Sequence, residues 1–205
     1  MSERAGLWSP LSVPWVYEGF HHLIGARRWL RRFARNVVKA GANERVLDIG
    51  CGPGALLRYL TPGTVYVGLD RNASYIARAR QVYGNRGTFI CDDVSHFSDH
   101  ALSKVDVAVA IGLLHHLDDN LALDVMRAAE RTLRPGGRLI TVDPCFHSSQ
   151  SRIQRFVVGI DRGMYVRNFP DYQDLCARVF RKVDASWEKW HFPFPTSMCI
   201  VQSQL

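Results

Sequence analysis

The chain has 205 residues, room for one domain or two at most, and its 47% hydrophobic and 22% charged content is that of a globular protein with a sizeable core. No run approaches the roughly 18 apolar residues of a membrane span, and Met1–Ala5 has no basic stretch leading into an apolar one, so no secretory signal is expected. Five scattered cysteines without a C-x-x-C pair suit a reducing, cytoplasmic setting and argue against a zinc site or disulfide framework, while a net charge of +7 favours anionic partners.

Residues 1–20 read as irregular, with Pro10 and Pro14 interrupting helix and Trp8, Trp15, Tyr17 and Phe20 supplying aromatic surface. From His21 to Ala40 the pattern is helical: Trp29, Leu30, Phe33, Val37 and Val38 recur on one face, and Arg27, Arg28, Arg31, Arg32, Arg35 and Lys39 hold much of the positive charge. Gly41 is placed to close this helix. The basic face reads as solvated; an anionic substrate, an acidic lipid surface or RNA are its functional alternatives.

Strands and helices then alternate. Strands are expected at Val46–Ile49, Val65–Asp70, Thr88–Cys91, Val105–Ile111 and Arg138–Asp143, with helices at Ala55–Leu60, Ala73–Tyr83 and Leu121–Leu133. The near-continuous apolar run Val105–Ile111 suits a strand buried on both faces. This alternation predicts an α/β fold with a parallel sheet and helices on both sides. In the tail, Gln150–Asp161 and Asp171–Phe180 read as helices, and Lys182–Trp190 and Ser197–Gln202 as closing strands. Residues 147–180 are either a lid over the carboxyl ends of the strands or a plain crossover.

The segment Val46-Leu47-Asp48-Ile49-Gly50-Cys51-Gly52-Pro53-Gly54 is strand followed by tight glycine turn, the device that brings backbone close to a ligand and aims a helix's first free N–H groups at it. Asp70, twenty residues beyond Gly50, ends the second strand, where a carboxylate can accept both ribose hydroxyls of a nucleotide; a helix cap is its structural alternative. The pair fits a dinucleotide or S-adenosylmethionine. The turn reads G-x-G-x-G rather than G-x-G-x-x-G, and Asp48 precedes it. A carboxylate there repels a pyrophosphate and attracts an ammonium group, so electrostatics favour the sulfonium cofactor.

These stretches, with Val67-Gly68-Leu69-Asp70, Cys91-Asp92-Asp93-Val94, Leu113-Leu114-His115-His116-Leu117 and Leu133-Arg134-Pro135-Gly136-Gly137-Arg138-Leu139, resemble the class I S-adenosylmethionine-dependent methyltransferases, nearest to the small-molecule branch typified by ubiquinone/menaquinone methyltransferases. The resemblance implies a single Rossmann-like, doubly wound domain over 1–205, of seven strands in the order 3-2-1-4-5-7-6 with strand 7 antiparallel, residues 1–41 covering the site. It implies that Asp48, Gly50, Cys51, Gly52 and Gly54 hold the methionine end, and that Asp70 binds the ribose with Arg71 beside the adenine. Asp93 and the Val94 N–H would read the adenine edge, and Ile111 and Gly112 would line the methyl-donor side. Asp92 stands where the family usually has glycine, which leaves open which carboxylate faces the adenine. Tyr17 and Arg28 are candidates for closing over the cofactor. Cys51 also reads as a small packing residue.

Displacement at a sulfonium creates no buried anion on the leaving group, so alignment alone can supply about 7–11 kcal/mol of the acceleration in favourable cases. A base is needed only for an acceptor that enters protonated. His115, His116 and Asp143 follow the fourth and fifth strands and are the candidates, histidine being suited to this work near neutral pH; packing or capping is the alternative for the histidine pair. His147 shares that rim. Arg152, Arg155, Arg162, Tyr165 and Arg167 could grip an anionic acceptor or form a solvated face. The expected activity is methyl transfer to a small-molecule or lipid-like acceptor. A nucleic-acid methyltransferase using the basic helix and a non-catalytic cofactor-binding module are the alternatives, and the sequence does not choose between monomer and homodimer.

Overall fold

The computed structural model describes residues 26–99, 102–161, 163–190 and 195–205. Seven strands form one sheet in the order β3-β2-β1-β4-β5-β7-β6: β1 (Arg45–Ile49), β2 (Val65–Asp70), β3 (Gly87–Cys91), β4 (Val105–Ile111), β5 (Leu133–Pro144), β6 (Lys182–Trp190) and β7 (Thr196–Gln204). The first five are parallel to one another, and β7 runs antiparallel to both β5 and β6. Strand order and the direction of β7 are as expected.

Helices cover both faces. On one side α1 (Ala26–Phe33), a 3₁₀ segment (Ala55–Tyr59) and α2 (Ala73–Tyr83) bury Phe33, Val38, Leu57 and Ile76 against Val46, Val107, Val109, Ile140 and Ile200. On the other, α3 (Asp119–Thr132) and α5 (Phe169–Ala177) bury Met126, Tyr172, Leu175 and Cys176 against Leu47, Ala108, Leu139 and Val201. β4 is buried along its length apart from half-buried Ile111, as its unbroken apolar run requires. Among the described residues no helix is long and apolar enough to cross a membrane.

Several boundaries differ from expectation. The basic helix ends earlier than Gly41: it widens into a π-turn over Ala34–Val38, and Lys39, at φ 49°, closes it by donating its N–H to the Ala34 carbonyl. Gly41 instead donates its N–H to Glu44 Oε2 (2.8 Å) in the link to β1. Among the described residues the arginines of α1 stand exposed, Arg32 in an ion pair with Glu188 at 2.7 Å, while Phe33, Ala34 and Val38 are buried towards the sheet. The expected helix Ala55–Leu60 is one 3₁₀ segment, with Leu60 already extended. α3 starts at Asp119, capped by the Asp118 carboxylate, and Leu133 leaves it for β5 before the Pro135-Gly136-Gly137 stop is reached. Of residues 147–180, α5 is core, a crossover packed on α3, β6 and β7. The preceding helix α4 (Arg152–Gly159) keeps Ile153 and Phe156 exposed, and Ile160 just beyond it is exposed too.

Phe33 is 2% exposed and stacks on Trp29 at 4.8 Å, so it fixes α1 to the sheet. Phe33→Ala should cost about 3–5 kcal/mol in urea unfolding; a loss below about 1 kcal/mol would show that α1 is not held this way.

Candidate active site

β1 lies between β2 and β4, where the chain's winding reverses, and open α/β sheets bind ligands at the carboxyl end of such a strand. The turn leaving β1 is fixed there by backbone. Gly50 and Cys51 both donate N–H groups to the Leu69 carbonyl (2.8 and 3.0 Å), and Gly52 donates to Asp70 Oδ2 at 2.8 Å. Gly54 has φ 75°, and a Cβ there would lie 2.9 Å from the Phe89 ring, so both conformation and space demand glycine. A Cβ on Gly52 would fill a cradle whose nearest wall is Tyr75, 4.0 Å away.

Behind the turn Asp48 is 3% exposed and accepts the Tyr66 hydroxyl at 2.7 Å. Burial pushes its carboxyl up to about 7; the Tyr66 hydrogen bond pulls it down and the Asp70 charge pushes it up. A cation in the cradle stabilises the ionised form, and a phosphate does the reverse. The donor set therefore fits the ammonium and sulfonium of S-adenosylmethionine. Cys51 is buried, with its thiol driven well above its ordinary range by burial and by Asp48 and Asp70, so it is a packing residue and no nucleophile.

The Asp70 carboxylate braces the site: Oδ2 takes the Gly52 N–H and Oδ1 the Asn72 N–H (2.8 Å each). The cap of α2 is Asn72, whose side chain accepts from Ser74 and Tyr75. Arg71 is exposed beside it. Asp92 Oδ1 takes the Asp93 N–H (2.7 Å) and pairs with His96 (3.0 Å), while Asp93 Oδ1 accepts from the Ser95 N–H and hydroxyl. Partial burial of Asp93 works against ionisation, but the Ser95 hydrogen bonds and nearby Arg71 hold its carboxyl below the ordinary value. Val94 is buried and Ile111 half-buried. Arg28 stands exposed on α1, and Tyr17 lies outside the described residues.

The turn after β4 joins this cradle to the histidines. A Cβ on Gly50 would touch Leu113 at 3.2 Å, and one on Gly112, at φ 65°, would lie 3.7 Å from His115 Cε1. His115 Nδ1 is 2.7 Å from Asp143 Oδ1, which also accepts the His115 backbone N–H at 3.1 Å. Both side chains are buried, and burial pushes the Asp143 carboxyl up while the His115 hydrogen bonds pull it down. His115 Nε2 faces Asp161 Oδ1 at 3.3 Å. His116 is buried too, its ring 4.1 Å from that of His115.

Asp161 and Gly163 are the members the sequence does not single out; the only trace is a D-x-G triplet past a helix end. A Cβ on Gly163 would fall within 2.6 Å of the His115 carbonyl oxygen and closer still to its ring, so only glycine lets this backbone cover the imidazole. Arg167 belongs to structure rather than to a free anion grip. Its guanidinium donates to the Leu114, Leu117 and Tyr165 carbonyls and pairs with Asp119, clamping the turn that carries His115. Arg162 lies outside the described residues, and Arg152 and Arg155 are exposed. His147 bonds Ser197 Oγ at 2.9 Å and stacks on Trp187.

Residues 46–137 match the family described as Methyltransferase domain. The chain is 32% identical over 130 residues to the ubiquinone/menaquinone biosynthesis C-methyltransferase UbiE of Pectobacterium carotovorum, covering 58% of this chain and 50% of that protein. It is 32% identical over 100 residues to a ubiquinone biosynthesis O-methyltransferase of Vibrio vulnificus, covering 47% and 42%. The chain thus spans half or less of the length of these curated relatives. Among solved structures, the mitomycin 7-O-methyltransferase MmcR has a TM-score of 0.70 at 19% identity, covering 98% of this chain and 61% of that one. The magnesium protoporphyrin IX methyltransferase ChlM from Synechocystis PCC 6803 with bound SAH has a TM-score of 0.66 at 18% identity, covering 88% and 84%. Both are likenesses of fold.

An unfolded Asp loses its proton near pH 4, whereas folded Asp48 keeps it to about 7. The stability it contributes is therefore complete below pH 4 and lost as pH rises towards 7. Urea unfolding of the ligand-free protein and of Asp48→Asn should show the variant gaining on the wild type across that interval and holding its advantage above it. A difference that does not change with pH would contradict a protonated, buried Asp48.

Proposed function

We propose that the chain transfers a methyl group from S-adenosylmethionine to a hydroxyl of a small-molecule acceptor, with His115 as general base and Asp143 as its positioning partner. The observation that carries this reading is the buried 2.7 Å His115–Asp143 contact beside Gly112, one turn from the glycine cradle. When bound, S-adenosylmethionine supplies an electrophilic methyl group on a sulfonium centre. Asp48 and the bare backbone of Gly50, Gly52 and Gly54 would hold its methionine end, Asp70 its ribose, and Asp92 and Asp93 the adenine side.

Asp143 fixes the ring: with Nδ1 turned to the carboxylate, Nε2 is the nitrogen left to work on the acceptor. That atom faces Asp161, which is about one third exposed and can turn to solvent. The acceptor hydroxyl takes the place of the Asp161 carboxylate at Nε2, and Nε2 receives its proton as the oxygen attacks. Asp143 then stabilises the imidazolium. An acceptor that needs no deprotonation would leave this pair without a task.

Asp70→Ala removes charge-assisted hydrogen bonds worth about 1.5–3 kcal/mol and should weaken S-adenosylhomocysteine binding by roughly ten- to a hundredfold in calorimetry; unchanged affinity would remove Asp70 from the ribose site. Labelled-cofactor assays over a panel of hydroxylated small molecules test the activity itself. His115→Ala should bind the cofactor normally and lose about 10²–10⁴ in turnover, with Asp143→Asn losing less. Undiminished turnover in His115→Ala would refute the base assignment.

A further inference from the structure

A cavity of about 500 Å³ opens beside β6, between the segment that follows β5 and the start of α5. It has the size of a small-ligand site. Among the described residues its walls include four aromatic rings, Phe146, His147, Phe169 and Trp187, and the cation Arg155 from α4, while Lys189 lies 6.0 Å from the Trp187 ring centroid. The rings are already ordered: His147 stacks on Trp187 at 3.9 Å and 25°, held through Ser197 and Ser149. The Arg155 guanidinium lies 5.3 Å from the Phe146 ring centroid and has no ion-pair partner among the described residues. The acidic residue on the wall, Asp171, is engaged with the Asn168 N–H and side-chain amide at the start of α5.

The cavity and the proposed base lie on one side of the sheet. Asp143 pairs with Cys199, and Cys199 pairs with Trp187, so the three side chains occupy one row and one face across β5, β7 and β6. With strands about 4.8 Å apart, Trp187 sits about 10 Å from Asp143, roughly the length of a two-ring molecule. Flat walls select a planar ring system, and an unpaired guanidinium above one wall selects a carboxylate on it.

We propose that this cavity anchors the acceptor, and that the acceptor class is a planar hydroxylated aromatic acid, its ring against the aromatic wall and its carboxylate on Arg155. The acceptor half of this inference rests on the methyl transfer proposed above; the binding half does not. Calorimetry with naphthalene-1-carboxylate tests binding without turnover. The wild-type protein should bind it at least tenfold more tightly than neutral naphthalene-1-carboxamide. Arg155→Met, a change on an exposed helix face, should weaken it tenfold or more while leaving S-adenosylhomocysteine affinity unchanged. No binding, equal affinity for the amide, or equal affinity in Arg155→Met overturns the site, whatever the enzyme methylates. Turnover is then read with 6-hydroxynaphthalene-1-carboxylate, whose hydroxyl lies on the ring remote from the carboxylate, and labelled cofactor. Methyl transfer with a KM raised at least tenfold in Arg155→Met supports the acceptor class, and binding without methyl transfer overturns that class while the cavity stands.

Discussion

The structure depends on a carboxylate buried where the winding of the sheet reverses. Asp48 lies one residue before the end of β1, between β2 and β4, with Tyr66 as its hydroxyl partner. Removing a carboxyl group from water is costly, and the folded protein meets that cost by keeping the proton to about pH 7. A cation placed over the turn relieves the same burial. The turn itself is arranged for such a guest: Gly50, Gly52 and Gly54 all have positive φ, and β2 holds the backbone through Leu69 and Asp70. Fold and binding site are therefore one construction, since the strand pairing that builds the sheet also fixes the cradle.

The same economy links the cradle to the histidine pair. Leu113 packs on Gly50 and His115 lies beside Gly112, so a four-residue turn separates the glycine cradle from His115. Arg167 secures the segment around His115 by donating to the Leu114 and Leu117 carbonyls and pairing with Asp119. Its charge is spent on position, whereas Arg155 lines the neighbouring cavity.

Much of this was legible in the sequence because its causes are local. An unbroken apolar run dictated β4, glycine spacing with flanking carboxylates marked the turn, and α2 spans Ala73–Tyr83 as expected, with Asn72 rather than Asp70 capping it. Strand order came from the family resemblance, since alternation alone does not order a sheet. The pairing of His115 with Asp143, 28 positions apart, was available only as two residues on a common rim. Asp161 and Gly163 were invisible because their roles come from a tertiary approach that no spacing encodes. Gly41 misled for a related reason: a glycine near a helix end invites a cap, but the π-turn had already closed on Lys39.

The central claim is that cradle and histidine pair serve one reaction centre. A crystal structure with S-adenosylhomocysteine tests it most directly. The account predicts the ammonium beside Asp48, the ribose hydroxyls on Asp70, and the thioether sulfur facing the turn at Gly112 with His115 behind it. A ligand seated in the cradle with its sulfur turned away from His115, or one bound elsewhere on the sheet, would contradict it.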